Sequence, residues 1–267
     1  MTTQPWLTIA TIVKDDPEGL TRTLNSLKGQ DLAGVELLIV DSSADPERTK
    51  SIVESAHLDS TQAEDGPHAH SPSVTVHWCP PQGIYPAMNT ALERAQGEYI
   101  YFLNAGDELF DAQATSEMRT MGQQSPVWFY GQVCFVDDKG RETTPPPFDY
   151  AKEKAASFSN GRFPPHQGTV ARRTALKELG GFDTSFAIAA DYALFLRLST
   201  IAQPLETSAT LARFFTGGLS STAWKASLAE FHRARREILP MTPQQRAAEG
   251  LRTQRTRLVM SLARLKP

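Results

Sequence analysis

Residues able to do chemistry fall in four short clusters: Lys14-Asp15-Asp16, Asp41, Asn104-Ala105-Gly106-Asp107 and Asp191. Each stands where an apolar run gives way to small or polar residues, or where a helical pattern begins. The third cluster follows Glu98–Leu103, EYIYFL, an aromatic-rich run that suits a strand covered on both faces. Small residues there let a ligand approach the backbone, and a carboxamide beside a carboxylate offers oxygen ligands of the kind Mg2+ or Mn2+ takes. The same four residues also favour an ordinary turn, so the neighbours must decide. In open α/β sheets ligands bind outside the carboxyl ends of the strands, where the first three clusters would converge. Carboxylates repel phosphate unless a metal stands between them, so an acidic edge fits a divalent cation bridging a diphosphate. Asp41, closing a second strand, is placed to accept hydrogen bonds from a ribose hydroxyl. No GxGxxG follows the first strand and no GxxxxGK[ST] occurs, which argues against a dehydrogenase and a P-loop enzyme.

The elements that must position these residues are readable from periodicity. Leu7–Val13 and Val35–Val40 are apolar and β-branched strands, and Leu20, Thr23, Leu24 and Leu27 recur at helical spacing between them. A second helix is expected from Pro46 to about Ala56, a third strand over Val74–Cys79, a helix over Tyr85–Ala95 and the strand Glu98–Leu103. Strand, helix, strand, helix predicts a doubly wound, mostly parallel sheet. Beyond it we expect a helix over Ala112–Met121, a strand over Val127–Val136, and a turn and strand over Phe163–Val170. A short helix Arg172–Leu179 should be closed by Gly180-Gly181, with a helix over Ala189–Thr200 and a last strand Leu211–Phe215 following. His57–Ser73 reads as a polar surface loop, where His68 and His70 lack other metal-ligand neighbours. Pro145–Pro147 reads as a loop. Arg197 is expected in a structural ion pair, Asp183 in ordering its own turn, and Met88 in the core.

The chain has 267 residues and a formal charge of −3, enough for one large α/β domain with an appendage. We expect a catalytic domain over residues 1–222 and a helical appendage over 223–267, broken at Pro240–Pro243. From Ala223 onward ten Lys/Arg face three acids, a net +7 that leaves −10 on residues 1–222. A basic tail on an acidic body suggests an anionic partner such as a membrane surface, or a helix packed back on the body. No apolar run of membrane-spanning length occurs, the N-terminal run lacks a basic leader, and Cys79 and Cys134 sit in apolar segments. These features point to the cytoplasm.

The order and spacing of five stretches resemble a family 2 glycosyltransferase of GT-A fold: LTIATIVKDDPEGLTRTLNSLKGQ, LLIVDSSADPERT, QGIYPAMNTALERAQGEYIYFLNAGDEL, PPHQGTVARRTALKELGGFDTSFAIAADYALFLRLS and GGLSS. The resemblance covers about residues 7–222 and is strongest to enzymes that make bacterial surface polysaccharides. It implies an inverting, metal-dependent transfer from a nucleotide-sugar, first of all a UDP-sugar, to a glycan or lipid-linked acceptor on the cytoplasmic side of the membrane, with no nucleic acid involved. By the same resemblance Ile12, Lys14 and Asp41 would hold the nucleoside, and Tyr85 and Asn89 would line the donor pocket. Asn104 and Asp107 would face the diphosphate, with Asp107 binding Mn2+ or Mg2+. Asp191 would be the general base, and His166 and Gln167 would meet the acceptor or the metal. Three positions depart from the family pattern: Asn104 replaces the first acid of the DxD-type motif, Pro86 replaces the Asp after Tyr85, and Ala190 stands where many members have Glu. A nucleotidyltransferase would share the sheet and the metal, but would carry a basic glycine-rich loop where Lys14–Gly19 is acidic. A non-catalytic sugar-nucleotide-binding protein is the other alternative, kept open by Asn104.

Overall fold

The computed structural model describes residues 4–58, 72–151, 163–216 and 223–263. The expected loop with His68 and His70, and the GGLSS motif at 217–221, lie outside the described residues. The strands are β1 (Leu7–Val13), β2 (Val35–Asp41), β3 (Ser73–Trp78), β4 (Tyr99–Phe102), β5 (Glu108–Leu109), β6 (Trp128–Val136), β7 (Glu142–Thr143), β8 (Thr169–Arg172) and β9 (Leu205–Phe215). The helices are α1 (Pro17–Leu27), α2 (Pro46–Ser55), α3 (Ile84–Arg94), α4 (Ala114–Gly122), α5 (Arg173–Glu178), α6 (Ala190–Ile201), α7 (Trp224–Ile238) and α8 (Pro243–Ala263).

All nine strands join one sheet in the order β3-β2-β1-β4-β8-β6-β9-β5, with β7 on the side of β6. The pairings make β1, β2, β3, β4, β6 and β9 run one way and β5, β7 and β8 the other. The doubly wound α/β expectation therefore holds, and the chain reverses its direction of winding between β1 and β4, where such sheets open a crevice. Every residue of β1, β2 and β4 is buried, as apolar runs covered on both faces require. Alternate residues feed two cores. Ala10, Ile12, Val40 and Phe102 pack under α3 and α6, whereas Leu7, Ile9, Val13 and Tyr101 pack against α1 and α4. Met88 lies in the first core with no exposed surface, as expected.

Asp16 and Asp45 cap α1 and α2, accepting from Gly19 N–H at 2.9 Å and Arg48 N–H at 3.2 Å, each followed by proline. The last strand is longer than the expected Leu211–Phe215. Its first half, LETSAT, is polar and partly exposed and so carries no strand-like pattern. Among the described residues Arg197 makes no ion pair within contact distance. Its guanidinium donates to the carbonyls of Leu179 and Gly181, both at 3.0 Å, at the end of α5. In the tail, α7 enters the first core through Ala234 and packs Phe231 edge-on against Tyr192 of α6, with ring centroids 4.6 Å apart. Among the described residues, α8 gives nothing to either core and rests on α7.

Candidate active site

The turn that ends β4 is held rigidly. Asp107 N–H bonds Asn104 O at 3.0 Å, and Gly106 takes φ +97°, which a side chain would disfavour. Thr23 of α1, fully buried, donates its hydroxyl to Asp107 O at 2.7 Å and accepts from Gly106 N–H at 3.1 Å. Ala105 N–H bonds Ile12 O at 3.0 Å, tying the turn to the end of β1. The side chains of Asn104 and Asp107 are thereby aimed by a clamp built from three elements.

Asp191 lies in the first turn of α6 with 17% of its side chain exposed. Its Oδ2 is 3.1 Å from His166 Nδ1, and its Oδ1 is 3.1 Å from the Tyr85 hydroxyl. His166 Nε2 is in turn 3.4 Å from Asn104 Nδ2. His166 thus bridges the two, with Nδ1 facing the Asp191 carboxylate and Nε2 facing the Asn104 amide. Tyr85 has one proton and two acceptors, the second being Ile188 O at 2.5 Å. Burial and the Asp191 charge hold that hydroxyl far above its ordinary pKa, so it stays protonated. Burial pushes the Asp191 carboxyl up, but the bond and charge of His166, the Tyr192 N–H and Tyr85 together outweigh it, and the net shift is downward. Asp107 is shifted the other way. Burial raises it from 3.8 to about 7, and His166, the Phe215 N–H, Gln167 and Arg22 offset only part of that. Two carboxyls of one site are thus driven apart, one ionised and one near half-protonated at neutral pH.

These groups face one cavity of about 920 Å³, within the range of small-molecule sites. Tyr85, Asn104, Asp107, His166, Gln167 and Asp191 all line it, together with aromatic residues that include Tyr130, Phe135 and Phe148. The other expected donor residues are placed elsewhere. Ile12 is packed in the first core, and Lys14 is exposed on the loop after β1. Asp41 is fully buried, with Oδ1 accepting from Ser43 N–H at 2.8 Å and Oδ2 lacking a partner among the described residues. Asn89 does not face the cavity: its amide donates to Phe182 O and accepts from Phe182 N–H, both at 2.8 Å, which ties α3 to the turn after α5. Asp15 is also engaged, accepting from Ala44 N–H at 2.8 Å and so lacing the loop after β1 to the loop after β2.

One residue of the site has no local sequence signal. Glu230 of α7 accepts from three successive N–H groups, those of Ala187 at 2.9 Å, Ile188 at 2.8 Å and Ala189 at 2.9 Å. This is the approach to α6, whose N-cap residue, Ala189, offers no side-chain cap. The carboxylate thus fixes both Asp191 and the Ile188 carbonyl that competes for the Tyr85 proton. Glu230→Ala should lower stability by about 1–3 kcal/mol, the penalty for leaving buried donors unmade. It should also reduce kcat, as a thermal melt and initial rates would show.

A family model described as Glycosyl transferase family 2 matches residues 8–180. An uncharacterized glycosyltransferase of Mycobacterium tuberculosis, strain H37Rv, is 28% identical over 228 residues, covering 83% of this chain and 79% of that protein. Among solved structures, S. aureus TarS 1-349 in complex with UDP superposes with a TM-score of 0.62 at 16% identity, covering 92% of this chain and 69% of that one. The mannosyltransferase PcManGT from Pyrobaculum calidifontis, in complex with GDP-Man and Mn2+, gives 0.63 at 17% identity, covering 91% and 67%. At such identities the likeness establishes the fold, a GT-A-like mixed α/β sheet. With the family model spanning the strands and turn that carry Asn104 and Asp107, the chain belongs to glycosyl transferase family 2 and is a glycosyltransferase.

Proposed function

We propose that the protein moves a sugar from a nucleotide-sugar donor, a UDP-sugar first among them, to a hydroxyl of a glycan or lipid-linked acceptor, inverting the anomeric carbon. The observation that carries this reading is the pair of carboxyls, Asp191 and Asp107, on one cavity with opposite pKa shifts. Asp191, kept ionised by His166 and Tyr85, removes the proton of the acceptor hydroxyl as that oxygen attacks the anomeric carbon. The bond to the diphosphate oxygen breaks on the opposite side, and the nucleoside diphosphate leaves. Relatives in the fold bind such donors: UDP-GlcNAc in one case, GDP-Man with Mn2+ in another. The aromatic residues that line the cavity suit the apolar face of a sugar ring. Two free thiols, at Cys79 and Cys134, agree with a reducing, cytoplasmic setting. The pathway we assign is bacterial polysaccharide assembly.

The residues fit a divalent cation. Asn104 Oδ1 is buried without a partner among the described residues and belongs to a residue that lines the same cavity as Asp107, and one carboxylate with one amide oxygen is a donor set that substrate phosphates complete for Mg2+ or Mn2+. Bound there, the ion would stabilise charge on the departing diphosphate. Because the folded pKa of Asp107 lies above its ordinary 3.8, the cost of ionising it appears as pH rises from 3.8 to about 7 and is complete above that. A cation must displace this proton, so Mn2+ affinity should fall about tenfold per unit below that value.

The test is a thermal-shift panel of UDP, GDP, CMP and dTDP with and without Mn2+ at pH 8. A ligand at a hundred times its Kd stabilises by about 2.7 kcal/mol, which a melt resolves. One diphosphate should shift the protein in a Mn2+-dependent way. Asp107→Asn should lose the shift yet melt higher than the parent without ligand, since it removes a buried charge. No shift with any nucleotide would overturn the proposal.

A further inference from the structure

Helix α8 is built inside out. The side resting on α7 is polar. Glu249 there is 2% exposed and accepts from Arg235 Nε at 2.7 Å, while Thr253 Oγ1 lies 3.1 Å from His232 Nδ1. The apolar residues point away from the protein: Leu251 is 73% exposed, Leu258 61% and Val259 57%. Residues seven and eight apart lie two turns along the same stripe, so these three form one outward face. A surface helix of a globular protein shows the reverse, and isolated exposed leucines differ from a stripe set over a polar underside.

Charge decides what covers that face. Arg246, Arg252, Arg255 and Arg257 are exposed and make no side-chain hydrogen bond or ion pair among the described residues. Glu249 is the one acid between Pro243 and Ala263, and Arg235 occupies it from beneath. Arg252 and Arg255 share the outer side with the apolar stripe, while Arg246 and Arg257 flank it on the side of Glu249, so the exposed surface of α8 is apolar and cationic together. Arg255 lies four residues from both Leu251 and Val259, in the middle of the stripe. A second copy docked on this face would bring the two Arg255 side chains into a shared apolar contact, an unfavourable burial of like charge. An anionic bilayer satisfies both features. Apolar side chains enter the acyl boundary while guanidinium groups stay with lipid phosphates.

We propose that α8 lies in the plane of an anionic lipid bilayer, with Leu251, Leu258 and Val259 inserted and Arg252, Arg255 and Arg257 at the headgroups. The proposal stands independently of the donor and metal assignments. It places the cavity near the membrane, because α7, on which α8 rests, contributes Ser227 and Phe231 to the cavity wall.

The test is sedimentation of the full chain with phosphatidylcholine vesicles, with and without phosphatidylglycerol. Two variants are compared with the parent: Leu251→Ser/Leu258→Ser/Val259→Ser and Arg252→Glu/Arg255→Glu/Arg257→Glu. All six positions are exposed, so both variants should keep the parent melting curve and its nucleotide-dependent shift, which separates this result from the fate of the transferase reading. The parent should bind anionic vesicles, bind neutral ones weakly, and release them as salt rises. Each variant should lose roughly tenfold or more in vesicle affinity, since one Arg near an anionic surface is worth about fivefold. Equal binding to neutral and anionic vesicles, or variants that bind as the parent does, would overturn the proposal. So would a dimer that the serine variant dissolves in a chain that ignores vesicles, for the stripe would then be a self-association face.

Discussion

Asp191→Asn should lower kcat by about 10²–10⁴-fold, the usual contribution of a positioned general base, while the Mn2+-dependent nucleotide shift survives. The replacement keeps the shape and can still accept from His166, at the 3.1 Å position Oδ2 now holds. It removes the charge that, in the proposed mechanism, takes the acceptor proton. The pH profile adds a second reading. Asp191 is shifted below the ordinary carboxylate range, so the stability it contributes is present above the unfolded pKa and is lost as pH falls through the folded one. Its own loss of activity therefore lies well into acid. A decline in rate just below neutrality belongs instead to Asp107, at about 7. Added Mn2+ should move that decline to lower pH and leave the acid limb of Asp191 in place. Proton NMR of the product, showing the donor's anomeric configuration reversed, completes the test. Retention, or full activity in Asp191→Asn, would remove this residue from the role of base.

Glu249→Ala should release α8 from α7. Arg235 is 1% exposed and lies 2.6 Å from Glu249, so a docked helix lacking the carboxylate would hold a guanidinium in the interior without its partner. Breaking one side of a buried pair costs about 3–5 kcal/mol. Undocking α8 about the break at Pro240–Pro243 avoids most of that and is the cheaper response. Hydrogen exchange over 243–261 should therefore lose its protection while the sheet keeps its own. A variant replacing both partners, Arg235→Met with Glu249→Leu, should regain protection, because a buried pair exchanged for apolar side chains of similar size is often neutral. Protection retained in Glu249→Ala alone would show that Thr253, His232 and the surrounding contacts hold α8 without the pair.

The parts of the fold that local pattern controls were legible. LTIATIV, VELLIV and EYIYFL are apolar because β1, β2 and β4 are covered on both faces, and their carboxyl ends meet where Asn104 and Asp107 project. Asp191 was legible as the acid of a helix start, but its pairing with Tyr85 and His166, residues 106 and 25 positions away, appears only in the folded chain. What was not legible depends on contacts far apart along the chain. Asn89 reads as a pocket residue on the helix after a loop, yet it is spent on Phe182, 93 residues away. Asp41 stands at a strand end as a ribose ligand should, but the loops around it close over the carboxylate. The first half of β9 is polar because its neighbours leave it half exposed, so alternation never appears. Glu230 is one acid among the basic residues of α7, and only the return of that helix onto α6 gives it meaning.

That return has a consequence for where the enzyme ends. A border drawn after residue 222, where the family-like motifs stop, cuts the carboxylate of Glu230 away from the three amides that it gathers. A chain shortened there could keep its sheet, its diphosphate-side turn and its nucleotide affinity, and still fail to transfer sugar, because the peptide carrying the base would be free to swing. Such a failure would speak of aim, whatever surface α8 touches. If Asp191 is the base, the catalytic unit must run at least through α7, and fusions or tags belong beyond it.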